Sequence, residues 1–84
     1  MELMQDQVIR IDAVYVPVKR RKTLDAKRVE EIAESILADG QRTPILVRRD
    51  GDGFVLVEGL HRLEACKALG ETTIIGLVVQ ARRN

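Results

Sequence analysis

The sequence predicts an α+β domain, a small mixed β-sheet carrying two packed helices in the order β-α-β-β-α-β. Three observations predict it. Two segments repeat apolar residues at helical spacing, and each is closed by a glycine. Around them lie short apolar runs bounded by glycine or proline, the punctuation of strands and tight turns. The chain has 84 residues, a length that rarely subdivides, so residues 1–84 are expected to form a single domain with a thin core.

Each element follows from its residues. Residues 8–16, VIRIDAVYV, alternate apolar and polar around Arg10 and Asp12 and read as one half-exposed strand, ended by Pro17. The basic VKRRK that follows reads as a loop. In LDAKRVEEIAESILADG, residues 24–40, Val29, Ile32, Ala33, Ile36 and Leu37 share one helical face with charges opposite. Asp25 is placed to cap the start of this helix, and Gly40 to end it in a left-handed conformation. After Pro44, ILVRR and FVLVE are two strands joined by DGDG. That loop lacks the third oxygen ligand and distant glutamate of a calcium site and is read as a turn. A second helix is expected from about Leu60 to Leu69, stopped by Gly70. TTIIGLVVQ is the last strand, either buried or an edge that pairs with a second copy in a homodimer.

Composition excludes several functions. The only aromatic residues are Tyr15 and Phe54, too few for a base-stacking sheet. No apolar stretch is long enough to span a membrane and no signal-peptide layout precedes the domain, so a cytoplasmic protein is expected. Cys66 is the sole cysteine, which rules out an internal disulfide and a cysteine-rich zinc site. The net charge is only +1, yet Lys19 to Lys22 form a basic run and Arg82 and Arg83 a second one.

The stretch VEGLHR, residues 57–62, brings Gly59 to the mouth of the second helix, with His61 and Arg62 just behind it. The first N–H groups of a helix have no intrahelical acceptor, and its dipole adds positive charge there. Glycine permits the bend and the close approach of an oxygen, and Arg62 offers a bidentate guanidinium with His61 as a further donor. The plain alternative is a simple turn followed by a solvated first helical turn. Zinc at His61 is not expected, because there is no second histidine.

GLHRLEACKALG, residues 59–70, resembles the signature segment of the ParB/sulfiredoxin superfamily, which reads G-E-R-R-x-R-A in partition proteins and G-C-H-R in sulfiredoxins. PVKRRKTLDAKRVEEIAESI is similar to the partition-protein stretch that runs from a P-x-Q-P-R loop into the first helix, with Pro17 and Arg21 matching. GQRTPILVRRDGDGFVLVEG is similar to its G-L-L-Q-P-I-x-V-R segment and hairpin, with Gly40, Pro44 and Ile45 in place. The likeness covers roughly residues 8–79. It implies a nucleotide pocket for ATP or CTP, with phosphates on Gly59, Leu60, His61 and Arg62. It also brings Arg21 and the Gly40–Pro44 turn near the ligand, with base selectivity expected from the loop before the first helix and from Gln41 to Thr43. Sulfiredoxins use first-helix positions that fall at Arg28, Glu31 and Ser35. Glu31 departs from the pattern, since a carboxylate repels a polyphosphate unless Mg²⁺ lies between them.

The same resemblance narrows the activity. Sulfiredoxin chemistry needs a thiolate between the glycine and the histidine, where this chain has Leu60. Cys66 is no substitute, because it lies about 9 Å further along the helix and in line with Leu63 and Leu69 on the packed face. Three function classes stay open. The first is a nucleotide-binding module linked to plasmid or chromosome partition or to DNA-associated regulation. The second is a non-specific DNA-binding or nuclease-like protein using VKRRK and the terminal arginines, alone or with a separate DNA-binding protein. The third is a phosphotransferase or nucleotide hydrolase, for which Glu58 is the most interesting base among Glu30, Glu31, Glu34 and Glu58. Family partition proteins carry a helix-turn-helix domain after this one, so sequence-specific reading of DNA by these residues alone is not expected.

Overall fold

The computed structural model describes residues 5–80; the basic pair Arg82 and Arg83 lies outside the described residues. Five strands form one mixed sheet: β1 (Asp6–Arg10), β2 (Val14–Tyr15), β3 (Ile45–Asp50), β4 (Gly53–Glu58) and β5 (Thr73–Val78). Three helices accompany them: α1 (Val18–Arg21), α2 (Ala26–Asp39) and α3 (Leu60–Ala68). The sheet order is β1-β5-β3-β4-β2. β1 runs antiparallel to β5, β5 parallel to β3, β3 antiparallel to β4, and β4 parallel to β2. The expected α+β class stands, with β5 interior to the sheet rather than at its edge.

The single strand expected over residues 8–16 is two strands on opposite rims, separated by a 3₁₀ turn at Ile11–Ala13. The burial phase shows why. A continuous strand that buries Ile9 and Ile11 would also bury Tyr15, but Tyr15 is 55% exposed and Val16 is buried instead. Four strand spacings across a flat sheet are at least roughly 19 Å. The chain from Arg10 to Val14 reaches only about 14 Å. The sheet therefore curls until its rims approach each other. The 3₁₀ turn bridges them: the Ile11 N–H donates to the Thr72 carbonyl at 2.9 Å, and the Ala13 carbonyl lies against Gly53.

The concave side of this sheet holds the core, in which Ile45, Val47 and Leu56 meet Leu60, Leu63 and Cys66 of α3. Complete burial of a side chain such as Leu63 contributes about 1.5–3 kcal/mol. α2 packs mainly on α3 and has no fully buried residue. Of its expected apolar face, Val29, Ile32, Ala33 and Ile36 are half-buried, while Leu37 is 74% exposed. Asp25 caps α2 as expected, its Oδ1 accepting from the Lys27 N–H at 3.0 Å, and Gly40 ends the helix at φ 78°. VKRRK is not a loop. Pro17 fixes φ at −58° and its carbonyl accepts from Arg20 at 3.0 Å, starting the one-turn helix α1.

Candidate functional site

β4 delivers the chain to Gly59, whose backbone at φ 113° and ψ 30° lies in the left-handed region. A Cβ there would sit 2.7 Å from Cγ2 and 3.0 Å from Cβ of Ile45. The glycine is thus required by close packing against β3. That differs from the sequence argument, which put the missing side chain on the side of an approaching oxygen. Gly59 offers no side-chain cap to α3, and the first intrahelical bond runs from the Leu63 N–H to the Gly59 carbonyl at 2.9 Å. The N–H groups of Leu60, His61 and Arg62 precede that bond, at the positive end of the helix.

A cleft of about 300 Å³ opens at this turn. Arg20 of α1, Arg28 and Ile32 of α2, and Glu58 to Arg62 line it, with Thr23 between the first two helices. Three arginines and one glutamate therefore line the cleft, on a chain whose net charge is only +1. Among the described residues the ion pairs are Arg10–Asp12 and Lys67–Glu64, so none of these three guanidinium groups is neutralised by a carboxylate. Converging positive charge in a walled recess concentrates anions. Each charge-assisted hydrogen bond to such an anion contributes roughly 1.5–3 kcal/mol.

His61 is engaged with the protein. Its Nε2 accepts from the backbone N–H of Asp25 at 3.0 Å, tying the first turn of α3 to the start of α2. While that bond stands, Nε2 carries no proton and the ring N–H is at Nδ1. The donor role expected of His61 is not available from Nε2 in this arrangement.

The structure brings Glu58, Gly59, Leu60, His61, Arg62 and Arg28 to one cleft and leaves Arg21, Gln41 and Thr43 away from it. Successive residues of a helix project about 100° apart. In α1, Arg20 therefore lines the cleft, whereas Arg21 lines a separate depression with Tyr15, Leu24 and Glu64. Reading VKRRK as a loop concealed this exchange. Gln41 follows the far end of α2, about 20 Å along the helix from Asp25. Its amide clamps β5, with Oε1 accepting from the Ile75 N–H at 2.8 Å and Nε2 donating to the Ile75 and Thr43 carbonyls at 2.9 Å. Glu30, Glu31, Glu34 and Ser35 are exposed on α2 and do not line the cleft.

Leu60 is buried, with no atom able to act as a nucleophile. Cys66 is buried too and lines a different cavity, with Ile36, Gln41 and Glu71. Burial, reinforced by the Glu71 carboxylate, pushes its thiol above the ordinary range, with Arg62 opposing. Nothing here resembles an activated thiolate. Among the described residues no helix is long and apolar enough to cross a membrane, and no three His, Cys, Asp or Glu side chains cluster as metal ligands.

Residues 2–84 match the ParB N-terminal domain family. The probable chromosome-partitioning protein ParB of Campylobacter jejuni subsp. jejuni is 35% identical over 81 residues, which is 95% of this chain and 29% of that protein. This chain thus spans less than a third of that relative. Sulfiredoxin from Arabidopsis thaliana superposes with a TM-score of 0.82 at 26% identity, over 92% of this chain and 86% of the other. The C-terminally truncated chromosome-partitioning protein ParB from Caulobacter crescentus, complexed with CTP-γ-S, superposes with a TM-score of 0.78 at 26% identity, over 93% and 46%.

Proposed function

Because this chain belongs to the ParB N-terminal domain family, we propose that it is a nucleoside-triphosphate-binding module whose ligand phosphates rest in the cleft at Gly59. The observation that carries the reading is the convergence of Arg20, Arg28 and Arg62 on the uncapped start of α3. Backbone N–H groups and a helix dipole hold one phosphate, and guanidinium groups bind its neighbours in pairs of hydrogen bonds. CTP ranks ahead of ATP because the Caulobacter ParB neighbour carries a CTP analogue. Mg²⁺, where it accompanies the nucleotide, is held chiefly by the phosphates, with Glu58 the one carboxylate lining the cleft. We place the protein in the cytoplasm, in chromosome or plasmid partition, acting with DNA through other parts of a longer assembly.

Calorimetry with the four ribonucleoside triphosphates, with and without Mg²⁺, tests this directly. Parent protein binds CTP or ATP with micromolar affinity, and Arg62→Ala loses at least about tenfold while its thermal melt is unchanged. Loss of one charge-assisted bond, about 1.5–3 kcal/mol, corresponds to that factor or more. Parent-like affinity in Arg62→Ala sinks the assignment. Product analysis in the same samples separates binding alone from turnover, for which Glu58 is the available base.

A further inference from the structure

We infer that His61 is a positioning residue that completes the N-terminal cap of α2 from another helix, and thereby leaves the third position of α2 free for a cleft arginine. The inference rests on the nucleotide reading for its functional half alone. In a capping box, the N-cap side chain accepts from an N–H inside the helix, while an acidic or amide side chain at the third helical position accepts from the N-cap residue's own N–H. α2 has the first half: Asp25 Oδ1 accepts from the Lys27 N–H at 3.0 Å. The third position is Arg28, which has no acceptor atom and lines the cleft. The missing acceptor comes from α3 instead, where His61 Nε2 takes the Asp25 N–H at 3.0 Å.

The consequence for the cleft is geometric. The only hydrogen bond from α3 to the residue that starts α2 passes through the imidazole, among the described residues. Arg28 stands one turn beyond that anchor, Arg62 is the residue after His61, and Thr23 lies two residues before Asp25. Within the α2–α3 packing, one ring nitrogen thus ties the start of α2, and with it Arg28, to the first turn of α3, which carries Arg62. A donor-only side chain at position 61 would leave the Asp25 N–H facing a second donor.

The experiment uses the full chain, ¹⁵N-labelled, as parent, His61→Ala, His61→Gln and His61→Arg. Amide exchange without nucleotide reads the cap, and CTP and ATP titrations read the cleft. Gln can place Oε1 near the position of Nε2, so it restores protection of the Asp25 amide. Ala and Arg lose that protection by about tenfold, the scale of one unmade hydrogen bond. Nucleotide affinity follows the same order, with Gln near the parent and Arg weakened despite its added charge. The ¹⁵N shifts of the parent imidazole report an unprotonated Nε2. Equal Asp25 exchange in all four proteins, or a protonated Nε2 in the parent, overturns the cap. Parent-like or tighter nucleotide binding by His61→Arg overturns the positioning role and makes position 61 a direct phosphate contact. Failure of the parent to bind any nucleotide removes the cleft reading and with it the functional half, while the exchange data decide the cap independently.

Discussion

Replacing Gly59 with alanine separates two demands that meet at one residue. At φ 113° an L side chain meets backbone strain, worth about 1–2 kcal/mol. The new Cβ would also lie 2.7 Å from Ile45 Cγ2, and Ile45 is fully buried and has no room to retreat. Overpacking of this kind costs about 1–3 kcal/mol. A stiffer unfolded chain returns about 0.4–1 kcal/mol. The net expectation is a loss of about 1–4.5 kcal/mol. Gly40→Ala is the control, because φ is 78° there and a Cβ would meet nothing within 4 Å. It keeps the strain without the collision and is expected to lose no more than about 1.5 kcal/mol. Urea denaturation followed by circular dichroism measures both, and with a slope near 1 kcal/mol/M the two midpoints should differ by about 1–3 M. Equal losses at the two glycines would mean that the contact with Ile45 does not govern the turn.

Gln41→Ala should lower stability by about 1–3 kcal/mol, a fall of roughly 5–20 °C in the melting midpoint, because the Ile75 N–H and C=O lose their partners. Its nucleotide affinity should stay at the parent value, and a variant that melts normally but no longer binds nucleotide would return Gln41 to the site. Cys66 should resist alkylation at pH 8 until urea unfolds the chain, since burial holds the thiol neutral. Its raised folded value means that its contribution is complete below the ordinary thiol value of about 9.0 and is lost as pH rises through the folded one. The parent's urea midpoint should therefore drop more between pH 8 and pH 10 than that of Cys66→Ala; matching slopes would refute the assignment.

Local signals carried most of the architecture. Asp25 and Gly40 mark the ends of α2 because capping and left-handed termination are decided within a few residues. The hairpin was readable for the same reason. The Gly59 turn was legible as a glycine before a helix, but the reason for that glycine was not, because Ile45 is distant in sequence and adjacent only in the folded sheet. The division of residues 8–16 was hidden by an alternation that persists through Ile11 and then changes phase. Arg20 and Arg21 were confused because a loop gives no direction to neighbouring side chains, whereas a helical turn separates them. The bond from His61 to Asp25 had one faint trace in the sequence: a capped helix whose third position, Arg28, cannot reach back.

The turn at Ile11–Ala13 bears on how the chain is made. β1 finds its partner in the last strand and β2 in the one before it, so Asp6–Arg10 has no ladder partner until Val78 has been synthesised. A nascent chain halted after β4 would hold α2 and the hairpin yet lack the β1–β5 ladder. Closure of the curled sheet consequently waits for β5, and β1 stays accessible to chaperones until that strand has emerged.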